Sequence, residues 1–102
     1  MADTDLLILE DASDAAFTLD KAYRKAVLAN DLDTMVELKP QVDAVYDTYS
    51  LMRLKLLEEG VVTTAADVAE MRRLKGEIDQ AAETQQLVAG AIALISFLRK
   101  FV

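Results

Sequence analysis

Asp31 and Asp33 stand two residues apart, the spacing that opens an oxygen-ligand loop for calcium. Met35 and Val36 then occupy the positions where such a loop needs its third ligand and its glycine, so the pair predicts no cation site. Asp43 and Asp47 are four apart and share one face of a helix, which reads as a solvated acidic surface. The chain has no histidine and no cysteine. That removes Ser-His-Asp and Cys-His nucleophile systems, the Glu-x-x-His ligands of di-iron bundles, and any disulfide framework. Its three glycines form no phosphate-cradling loop. Tyr23, Tyr46 and Tyr49 are expected to edge a core with their hydroxyls in water. No catalytic residue, cofactor site or metal site is predicted.

The cluster Arg72-Arg73-x-Lys75 is the one basic signal. Glu70 and Glu77 lie within helical reach of it, so it reads as a paired, solvated face. Net charge is −7, and all of the excess falls in the first half. Residues 1–47 hold 11 acidic and 4 basic side chains, whereas residues 48–102 hold 7 of each. Such a surface repels phosphate backbones and anionic lipid, so nucleic acid is not an expected partner. The opening residues are acidic and lack the positive region of a signal or transit peptide, from which a cytoplasmic location is expected.

The elements that would position any site are helices. With 53% apolar residues, three glycines and one proline, the 102-residue chain has few places to turn. No linker or repeat divides it, so a single domain over 1–102 is predicted. Ala16, Leu19, Tyr23 and Ala26 form one face of a first helix at about 14–29, with Ser13 as N-cap. Asn30 supplies a left-handed stop and Asp31 caps a second helix over 32–58, either kinked near Pro40 or split there into a short helix 32–38 and a fresh start. Gly60 closes that helix, and Thr64 with Asp67 resembles a capping box opening a third helix over 65–100. Residues 1–12 contain the run Leu-Leu-Ile-Leu, which fits either a short N-terminal fourth helix or an arm. The expectation is an all-α bundle of three long antiparallel helices, the last one unbroken for roughly 54 Å at 1.5 Å per residue.

Along that third helix the predicted seam is Met71, Leu74, Ile78, Ala81, Gln85, Val88, Ile92 and Ile95. The opposite columns turn apolar after Thr84, leaving residues 87–102 greasy on every side. The twelve uncharged residues from Leu87 to Leu98 span about 18 Å, too short for a hydrocarbon core of about 30 Å. Cover by polypeptide is therefore expected, part of it from a second copy, because Leu94, Phe97 and Phe101 face away from the seam. Ala89, Gly90 and Ala93 would let a second backbone approach, and Gly90 in mid-helix asks for such a reason. The candidate interface is thus Ala89, Gly90, Ala93, Leu94, Phe97 and Phe101. The function expected from it is a non-enzymatic interaction module, a small assembly or regulatory subunit that dimerises with itself. A second partner protein with a basic or apolar surface would fit the acidic helices. The alternative is a peripheral membrane protein using residues 87–102 as a lipid-contacting tail.

Overall fold

A computed structural model describes residues 3–102. It contains four helices and, among the described residues, no strand: α1 (Asp3–Leu28), α2 (Leu32–Glu59), α3 (Ala65–Asp79) and α4 (Thr84–Leu98). A single 3-10 turn, Arg99–Phe101, follows α4.

The Leu-Leu-Ile-Leu run is neither an arm nor a separate helix; it belongs to the first turns of α1. Ile8 and Leu9 lie on the stripe continued by Ala12, Ala15, Ala16 and Leu19, all buried, so burial of that stripe extends the helix back to Asp3. Ser13 consequently sits exposed in mid-helix and caps nothing. Asp3 and Asp5 in the first turn suit the positive end of the helix dipole.

Local chemistry sets the next three boundaries. Asn30 adopts φ 54°, and the Asp31 carboxylate accepts from the Thr34 backbone at 3.2 Å and its hydroxyl at 2.6 Å. α2 continues through Pro40. Pro40 and Val36 are both exposed, so the carbonyl that proline leaves without a donor lies on the wet side of the helix. Gly60 ends α2 in the left-handed region, φ 63°, where a side chain would be strained. Thr64 and Asp67 form a reciprocal capping box, with Asp67 N donating to Thr64 Oγ1 at 3.2 Å and Thr64 N donating to Asp67 Oδ2 at 3.0 Å.

The long third helix is corrected. It breaks at residues 80–83, where Gln86 Oε1 accepts from the backbone N–H of Ala82 at 2.8 Å and of Glu83 at 3.2 Å. The molecule is 42 Å along its longest axis, so an unbroken helix of about 54 Å would overhang its neighbours and leave its apolar end in water. A break forfeits about four intrahelical hydrogen bonds at roughly 0.5–1.5 kcal/mol net each. Turning Leu94, Phe97, Leu98 and Phe101 inward is worth about 1.5–3 kcal/mol each, and the Gln86 cap recovers part of the loss. Folding back wins.

The break also resets the phase of the helix. Met71, Leu74 and Ile78 of the predicted seam are buried, but Gln85 and Ile92 are exposed. The buried face of α4 is Gly90, Ala91, Leu94, Ile95, Phe97 and Leu98; Ile95 keeps its place on the predicted seam, while Gly90, Leu94 and Phe97 come from columns expected to face outward.

α1 packs on α2 and α3, and α4 packs on the same two helices; α1 meets α4 only slightly across one diagonal, while the backbones of α2 and α3 stand farther apart across the other. Thr63 reaches Thr4 and Asp5, Arg72 reaches Asp11, Lys75 reaches Asp14 and Asp79 reaches Thr18, so α1 and α3 run parallel. Lys100 at the end of the chain reaches Asp67 at the start of α3, at 3.6 Å, so α3 and α4 are antiparallel. The connection 60–64 therefore crosses the top of the bundle diagonally. Ile8, Leu19, Val45, Met52, Met71, Leu74, Ile78, Leu94 and Leu98 fill the space between the four helices.

Candidate interaction surface

The cover for the apolar tail comes from this chain. Leu94 is 0% exposed, Phe97 5% and Phe101 6%, all inside the common core. Phe97 and Phe101 meet edge to face with ring centroids 5.3 Å apart, and the Lys100 ammonium stands 5.1 Å from the Phe97 ring. Gly90 is buried against Ile78 of α3, so its close-packing role is met within the hairpin. Ala93 is half-buried, and of the six candidate interface residues Ala89 alone is exposed. The exposed-patch argument for a second copy at Leu94, Phe97 and Phe101 is thereby removed, because α4 folds back. The same burial turns Leu94, Ile95, Phe97, Leu98 and Phe101 of the lipid-tail alternative inward, while Ile92 and Val102 stay exposed. No helix among the described residues is long and apolar enough to cross a membrane.

The polar groups singled out by the sequence are engaged locally. Asp31 caps α2, and its bonds from the Thr34 hydroxyl and then the Thr34 backbone hold its carboxyl below the usual 3.8. Asp43 pairs with Lys39 at 3.1 Å. The Tyr46 hydroxyl donates to Asp20 at 3.3 Å, and partial burial, followed by the negative charge of Asp20, raises its pKa above the usual 10.0. Among the described residues no three acidic, histidine or cysteine side chains are grouped so as to hold a metal ion.

The basic cluster laces α3 to α1. Arg72 lies 3.4 Å from Asp11, and Lys75 bridges Asp14 at 3.2 Å and Asp11 at 3.8 Å. Arg73 is held between Glu70 at 2.5 Å and Glu77 at 2.6 Å on its own helix. Asp11, which is buried, thus faces two cations from the neighbouring helix.

Apolar surface lies on the other side of the molecule. Among the described residues, fourteen large apolar side chains are exposed by a third or more; eleven are on α1 and α2, and Ile92 is the one on α4. Between α1 and α2 runs an open groove whose lining includes Leu6, Leu9, Tyr49 and Leu57, with Glu10 and Arg53 on its two sides. Leu51 and Leu54 continue the apolar surface onto the outward face of α2, flanked by Asp47 and Glu58. Sequence reasoning missed this surface by following only the buried seam of α2. The signal was present in Leu51, Leu54 and Leu57, which fall off that seam.

Comparison with protein-family models, curated proteins and solved structures returned no match to this chain.

Proposed function

We propose that the protein is a non-enzymatic interaction module, a small assembly or regulatory subunit, working through the outer surface of α1 and α2. One observation carries this: the exposed large apolar side chains gather on those two helices, while the helix richest in apolar residues spends them on the core. Scattered surface leucines need no explanation, but an apolar groove with charge on both sides, as lined by Leu6, Leu9 and Leu57 between Glu10 and Arg53, suits a binding face. A second copy or another protein with a basic or apolar surface is the kind of partner it suits.

Photo-crosslinking in the producing cell tests the reading. p-Benzoylphenylalanine placed at Phe17 or at Leu57 should give covalent protein adducts, whereas the same group at Ile92 should not. The three sites are matched in exposure, at 56%, 59% and 54%, so access alone does not separate them. Adducts from Ile92 alone, or from none of the three, would refute the assignment.

A further inference from the structure

Resting on the interaction reading, the geometry points to a second copy of this chain as the occupant of the α1/α2 groove, with Glu10 of each copy meeting Arg53 of the other. Glu10 and Arg53 are exposed on facing helices and line the same groove. They carry opposite charge, yet among the described residues neither makes an ion pair, with the other or with anything else. Two unpaired charges of opposite sign on the two rims of an apolar groove are self-complementary. A two-fold axis running along the groove lays α1 of one copy over α2 of the other, and so places each Glu10 opposite an Arg53. Leu6 and Leu57, also on opposite rims, are brought together by the same operation.

Charge decides between the groove and the outward face of α2. Each copy carries −7, so two copies approach only where the local charge is balanced. Along the groove Glu10 offsets Arg53, and Asp14 is already neutralised by Lys75. On the outward face of α2, Asp47 and Glu58 flank Leu51 and Leu54 without ion-pair partners among the described residues, and a second copy would meet like charge there.

The test is charge exchange between copies, read by sedimentation velocity of the full chain from about 1 to 100 µM. Wild-type protein should sediment as a dimer. Glu10→Arg and Arg53→Glu, each alone, create two like-charge contacts per dimer and should raise Kd about tenfold or more. An equimolar mixture of the two single variants should dimerise again, since every rim contact in the mixed pair joins opposite charges. The double variant should recover as well. Recovery in the mixture is the decisive reading, because pairing across the groove within one chain cannot produce it. Both sites are exposed, and unchanged helical circular dichroism would verify folding. A wild-type monomer throughout the range, or single variants that dimerise as well as wild type, would overturn the second copy. Groove crosslinks to a different protein would then leave the interaction reading standing; crosslinks to nothing would take both down.

Discussion

A β-carbon added to Gly90 would lie 2.7 Å from Cγ1 of Ile78, inside contact distance, so the approach of α3 to α4 is set by the absence of a side chain at position 90. Ile78 is itself buried and β-branched, stiff at the first torsion, and cannot swing away cheaply. Gly90→Ala should therefore destabilise the protein by about 1–3 kcal/mol through overpacking, minus about 1 kcal/mol gained in helix propensity. In an Ile78→Ala background the obstructing atom is gone, and the same change should be neutral or stabilising by up to about 1 kcal/mol. Urea unfolding of the four proteins of this cycle checks the reversal of sign. Equal effects in both backgrounds would mean that the two helices are not in contact at Gly90.

The start of α2 and of α3 and the end of α2 were legible because they are written in local chemistry. Asn30, Asp31, Gly60 and the Thr64 and Asp67 pair act on backbone groups within a few residues, and no distant part of the chain is needed to read them. The break at 80–83 was not legible. Gln80, Ala81, Ala82 and Glu83 are good helix formers, and nothing local forbids the helix from continuing. What stops it is the cost of leaving Leu94, Phe97 and Phe101 in water, which depends on where α2 lies. The amphipathic pattern showed that the tail needed cover on all sides and was silent on whose residues would supply it. Once α4 folds back, its phase shifts, so Ile92 of the seam faces solvent and Leu94 faces the core. The exposed patch expected at Leu94, Phe97 and Phe101 is absent for the same reason.

Gln86 should contribute to stability through the break itself. Its side-chain oxygen accepts from two backbone N–H groups that the interruption leaves without helical partners, at 2.8 Å and 3.2 Å. Gln86→Ala should cost about 0.5–2 kcal/mol in urea unfolding, whereas Gln85→Ala, one residue away and exposed, should stay within about 0.5 kcal/mol of wild type. Gln86→Glu retains an acceptor and should keep most of the stability. A loss at Gln85 equal to that at Gln86 would indicate that the helix runs through 80–83 in solution and that neither glutamine caps anything.

Acid should weaken the junction between α1 and α2. The Asp31 carboxylate accepts from Thr34, hydroxyl first and backbone second, which lowers its folded-state pKa below 3.8. A group whose pKa is depressed on folding binds protons more readily in the unfolded chain, so its stabilisation is present above 3.8 and disappears as pH falls through the lower folded value. Asparagine caps a helix about as well as aspartate but does not titrate. Melting temperatures of wild type and Asp31→Asn, taken from neutral pH down to about pH 3, should therefore converge or cross at the acid end as the wild-type cap becomes protonated. Asp31→Ala, which has no acceptor, should melt below both at neutral pH. Parallel curves for wild type and Asp31→Asn across the whole range would show that the charge on Asp31 adds nothing to the cap, and that its hydrogen-bond geometry alone turns the chain from α1 into α2.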